Sequence, residues 1–152
     1  MSSADDRTTD GPDDAHRVPA GVDDATVEAV GKVTEALEVV EQARGMLYGF
    51  HRLTGKADLA LGEAADALRE AGHDALADRI DTELVGRNVI DGRWTFQIVE
   101  DYDGNYWEPF RTLEAKVRNE LAGGRRHLAE AAMKEDRRTH GAPHHEATPP
   151  TV

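Results

Sequence analysis

Arg44 and His51 stand where a helical seam asks for apolar residues. Counted in heptads, Val30, Val33, Leu37, Val40, Arg44, Leu47 and His51 follow one line, the spacing of a helix face packed against a neighbour. The two ionisable side chains are seven residues apart, about 10.5 Å along a helix axis. A buried charge is costly without a partner, so both need partners or an opening to solvent. Glu120 and His127, also seven apart, lie at the edge of a later line formed by Val117, Leu121 and Leu128. If the two helices run antiparallel, His51 would face Glu120 and Arg44 would lie near His127. Such an Arg/His/Glu/His cluster could bind an anion, hold a metal or move a proton. As a structural polar network it would serve packing alone.

Other chemistries find less support. A carboxylate-bridged metal site in a bundle needs paired Glu-x-x-His motifs. Only Glu70-Ala71-Gly72-His73 has that spacing, and its Gly72 marks a helix end. The zincin spacing is missing, and His144-His145-Glu146 falls in a polar tail. No specific metal site is therefore expected. Asp101, Asp103 and Asn105 resemble the start of a calcium loop, but the positions that need Gly and Glu hold Tyr106 and Thr112, which favours a turn. There is no cysteine, the only serines are Ser2 and Ser3, and no nucleophile elbow or phosphate-cradling glycine loop occurs. The pattern points to no particular cofactor. Six of the eight aromatic residues lie between 94 and 110. Trp94, Phe96, Tyr106 and Trp107 could form a lid over a pocket, or a small second core near Phe50.

The elements that would position these groups are helical. Asp23 and Asp24 suit a helix amino end, and the first helix is expected to run to Leu53 and stop at Thr54-Gly55. A second helix, residues 56–71, carries Ala57, Leu61, Ala64, Leu68 and Ala71 on one face and ends at Gly72. A third follows Asp74, with Leu76, Ile80 and Leu84 facing inward. Trp94, Phe96 and Ile98 alternate with Thr95, Gln97 and Val99, a period-two signal. Together with Asp103-Gly104 it predicts a short β-hairpin or an extended aromatic connection. Pro109 opens a last helix with Phe110, Leu113, Val117, Leu121 and Leu128 as its buried stripe. Gly123-Gly124 marks a bend in it, or a close approach. The fold class is all-α, an antiparallel bundle of about four helices.

The 152 residues fit one domain, residues 23–138, between an acidic tail over 1–22 and a polar tail over 139–152, both expected to be disordered. Thirty acidic residues against 18 basic give a net charge of −12, which repels nucleic acid and anionic membranes. Residues 109–140, with eight basic and five acidic residues, are the one basic element, and Arg111, Arg118 and Arg125 repeat along it every seven residues. With only four lysines, the acidity suits a high-GC genome and a high-salt interior alike. No signal peptide and no membrane-length apolar run are apparent, so a cytoplasmic location is expected.

The run Gly86-Arg87-Asn88-Val89-Ile90-Asp91-Gly92-Arg93-Trp94-Thr95-Phe96-Gln97, with Gly123-Gly124-Arg125-Arg126-His127, resembles a family of uncharacterised small acidic helical proteins from haloarchaea and actinobacteria. The resemblance implies a shared fold over roughly residues 30–138 and carries no activity. Two functions fit the residues. The first is a non-enzymatic helical bundle acting through self-association or a protein partner. The second is a small-molecule- or metal-dependent enzyme using Arg44, His51, Glu120 and His127 under the aromatic lid.

Overall fold

The computed structural model describes residues 10–148, and within them the chain is all-α. After a 3₁₀ turn at Asp14–His16 come α1 (Asp24–Glu70), α2 (Asp74–Glu83), α3 (Thr95–Tyr102), a π turn (Asp103–Trp107), α4 (Glu108–Ala122) and α5 (Leu128–Arg137). The backbone stays right-handed helical at Tyr102, Asp103 and Glu108. The helical backbone is thus unbroken from α3 through the π turn into α4, and the described residues form four helices. The described residues fall into two compact units, residues 38–111 and residues 10–37 with 112–148. Residues 1–9 and 149–152 of the two expected tails lie outside the described residues.

α1 begins as expected, with the Asp23 carboxylate accepting the Thr26 N–H at 2.8 Å. It does not stop at Thr54-Gly55. The inner line continues through Thr54, Asp58, Leu61, Ala65 and Leu68, and a single helical glycine costs only about 1 kcal/mol. The end comes at Gly72, whose φ of +87° lets the His73 N–H reach the Leu68 carbonyl at 2.8 Å. Arg69 ties this end to α2 through Asp78, at 3.0 Å, and Asp81.

Within the 38–111 unit the chain returns antiparallel to α1. Its only β feature among the described residues is an isolated bridge between Ile90 and Arg93, which closes the Asp91-Gly92 turn. The expected hairpin is absent among the described residues: Trp94 is an extended cap, and residues 95–107 are helical. The alternation spans just six residues, whereas Phe96, Val99, Tyr102, Tyr106 and Phe110 hold a three-to-four spacing over four turns. Gln97 also caps the start, its Oε1 accepting the Trp94 N–H at 2.9 Å. Buried stripes are shifted too. Ala77 rather than Leu76 and Leu84 is the buried residue of α2, and Ala65 rather than Ala57, Ala64 and Ala71 is that of residues 56–71.

In the other unit Val30, Ala122 and Leu128 form the core, flanked by Val27 and Val117. Leu113 and Leu121 are exposed, because α4 turns Glu114 and Ala122 inward. Buried Glu114 accepts from Thr34 and from Arg118, both at 3.0 Å. Arg118 also donates to the Gly124 carbonyl at 2.9 Å, fixing the break between α4 and α5. Gly123 and Gly124 hold φ of +58° and +75° there, so the expected last helix is two helices. Ala129 approaches Gly31 so closely that a Cβ on the glycine would lie 3.1 Å away. Arg138, its side chain buried, joins Glu135 and Asp10, each at 2.7 Å.

Candidate functional site

Three polar residues punctuate the inner face of α1 at heptad spacing, and each meets one group on the returning chain. Arg44 donates to both carboxylate oxygens of Asp103, at 2.7 and 3.0 Å. His51 Nδ1 lies 2.7 Å from the Thr95 hydroxyl. Asp58 accepts the backbone N–H of Gly86 at 2.8 Å. These rungs fix the register of α1 against α3 and the 84–94 loop, because a slip of one turn would break all three. The π turn, with its wider winding, carries Asp103 and Trp107 on the side facing Arg44.

Aromatic rings flank the Arg44 guanidinium as well. It lies 3.8 Å from the Trp107 ring centroid and 5.0 Å from that of Tyr48, while Arg111 covers Trp107 at 4.5 Å. The indole N–H of Trp107 donates to Glu41 at 2.9 Å. The Arg44 hydrogen bonds hold the Asp103 carboxyl below its ordinary value, and Asp103 in turn raises Arg44.

Of the four residues singled out for chemistry, Arg44 and His51 belong to the 38–111 unit, Glu120 and His127 to the other. Each has a partner inside its own unit. Exposed Glu120 stands 3.9 Å from Lys116, one turn away, and His127 Nδ1 lies 3.7 Å from Glu130 at the start of α5. Among the described residues no group of three or more His, Asp or Glu side chains could hold a metal ion. None of the described helices is long and apolar enough to cross a membrane.

The four lid residues take different places. Trp94 and Phe96 meet edge to face at 5.6 Å and line a groove of about 620 Å³ with Phe50, Leu61, Leu84 and Val89. Tyr106 packs between Tyr102 and Phe110 at 5.6 and 5.8 Å, and Trp107 serves the Arg44 rung. The groove is open: Trp94 is 59% exposed and Phe96 41%. A larger depression of about 820 Å³ lies among residues 10–13 and 138–148. Its buried cation, Arg138, is already paired.

Beside the groove runs a second line of residues along α1. Val39, Ala43, Met46, Phe50, Leu53, Ala57, Ala60, Ala64, Ala67 and Ala71 alternate at spacings of four and three, a second heptad seam one residue behind the first. All ten are exposed, Met46 at 76% and Leu53 at 66%. The signal was present in the sequence. It was hidden because a break at Thr54-Gly55 cuts the seam in two. No protein-family model, curated protein or solved structure matches the chain.

Proposed function

We propose that the protein is a non-enzymatic helical protein that works by self-association, with the bare seam of α1 and the adjoining groove as its working surface. The observation that carries this reading is the ten-residue apolar seam, exposed along its whole length on a helix whose other face is already packed. Folded chains seldom leave a contiguous apolar surface of that extent uncovered unless it binds something. The three polar rungs support the reading indirectly. They make α1 a rigid, registered rod, and a rigid rod loses little entropy when it docks. Arg44 and His51 are engaged in those rungs, so no observation favours the alternative of an enzyme built on them with Glu120 and His127.

The test is sedimentation of the full chain between about 1 and 100 µM, the range in which modest interfaces assemble, beside the double variant Met46→Glu/Leu53→Glu. Wild type should be heavier than a monomer and the variant monomeric, with equal helicity by circular dichroism. A wild type that stays monomeric, or assembles equally well with the charged seam, overturns the reading.

A further inference from the structure

The seam is uneven, and the unevenness indicates what covers it. Its amino-terminal part carries the bulk, Val39, Met46, Phe50 and Leu53. Its carboxy-terminal part, from Ala57 through Ala60, Ala64 and Ala67 to Ala71, is alanine alone. We infer that the occupant is the same seam of a second copy, running antiparallel, with the two-fold axis between Asp58 and Leu59. This rests on the self-association reading and adds the geometry of the pair.

The uneven bulk disfavours a parallel pair. Parallel helices match like with like, so Phe50 would meet the partner's Phe50 while five alanine layers stacked on one another. One end would be overfilled and the other hollow, and both faults are destabilising. Antiparallel pairing sets large against small. Leu53 then packs on the partner's Ala64, Phe50 on the partner's Ala67 and Met46 on the partner's Ala71. Ala57 and Ala60 meet the partner's Ala60 and Ala57 at the centre, where the backbones come closest.

Bulk alone leaves neighbouring registers open, because sliding by one heptad still sets large against small in several layers. The flanking charges choose among them. One edge of the seam carries Gly49, Lys56, Glu63 and Glu70, all but Gly49 exposed. With the axis between Asp58 and Leu59, Lys56 lies opposite the partner's Glu63, and symmetry makes the pair twice. Further out, Arg52 lies toward the partner's Asp66. One heptad shift sets Lys56 against the partner's Lys56, and the opposite shift sets Glu63 against the partner's Glu63. Among the described residues no ion pair uses Arg52, Lys56 or Glu63, and Asp66 has only a 3.5 Å contact with Arg69. The other edge of the seam carries Thr54 and Leu61, which line the groove. That flank carries no charge, and the pairing is continuous with the groove lined by Trp94 and Phe96.

The experiment is a charge exchange read by sedimentation equilibrium of the full chain, with circular dichroism as the control for folding. Lys56→Glu and Glu63→Lys should each raise the dimer dissociation constant about tenfold, since each turns two attractions into two repulsions. The double exchange should return it to near the wild-type value, and an equimolar mixture of the two single variants should form heterodimers. Because the chain has no cysteine, Leu53→Cys/Ala64→Cys gives an independent reading. These positions are too far apart along one helix to bridge, so oxidation should yield crosslinked dimers, and Leu53→Cys/Ala57→Cys should yield far fewer. A wild type that associates but ignores the charge exchange, or crosslinks better through 53 and 57, overturns the antiparallel register and leaves the self-association reading standing. A monomeric wild type overturns both.

Discussion

The guanidinium of Arg44 and the carboxylate of Asp103 meet through two hydrogen bonds, 2.7 and 3.0 Å long, with both side chains about three-quarters buried. A residue that interrupts the apolar pattern of α1 is thereby turned into the feature that aligns it. Had Arg44 sat at a wet edge, Leu in its place would complete the heptad at no cost. The structure predicts a loss instead. Arg44→Leu should cost about 2 kcal/mol in urea denaturation, because it strands a largely buried carboxylate and removes the cation over Trp107. A double-mutant cycle with Asp103→Asn should give a coupling of about 1 kcal/mol or more. Neutral behaviour of Arg44→Leu would show that the rung does not form.

Glu114 is a buried contributor to the acid sensitivity of the other unit. It is 4% exposed. Burial works to raise its carboxyl, but the hydrogen bonds from Arg118 and Thr34 outweigh burial and leave it below its ordinary value. A carboxyl depressed in the folded state binds its proton more readily when unfolded. Its contribution is therefore complete above the unfolded value, near pH 4.5, and is lost as pH falls through the folded one. Glu114→Gln should destabilise by about 2 kcal/mol at neutral pH, since it removes the charge opposite Arg118. The gap between variant and wild type should narrow below about pH 4. Urea midpoints at pH 7, 5 and 3.5 would check this, and a gap that widens in acid would contradict it.

What could be read in the sequence follows from how local each signal is. Val30 and Val40 of the inner seam are buried as their spacing requires, and Asp23 caps α1. The intrusions at 44 and 51 were legible as groups in need of partners. The partners were not, because Thr95 sits in a six-residue alternation that mimics a strand and Asp103 in the turn expected to follow it. Asp58, the third rung, was missed for the same reason as the outer seam. A helix ending at Thr54-Gly55 hides every pattern that crosses it. The four residues offered as one site depended on matching two helices by spacing alone, and spacing does not say which neighbour a side chain will choose. In α4 the inward line is Glu114, Arg118 and Ala122, one residue from the apolar stripe. A buried ion pair reads as surface until its partners are seen.

Gly55 gives the sharpest test of that difference. If α1 ended there, the glycine would sit at the carboxyl cap, where a left-handed backbone is usual, and alanine would cost about 1 kcal/mol or more. In the structure Gly55 lies inside the helix, is not among the glycines of positive φ, and has nothing within 4 Å of where a Cβ would stand. Alanine then meets no obstruction and lowers the entropy of the unfolded chain, so Gly55→Ala should stabilise by about 0.5–1 kcal/mol. The sign of the change decides the matter without any partner or ligand. The seam depends on it as well, because Phe50 and Leu53 can share a helix with Ala60 and Ala64 only if α1 passes through Gly55. A urea midpoint that falls in Gly55→Ala would cut α1 in two and take the ten-residue seam with it.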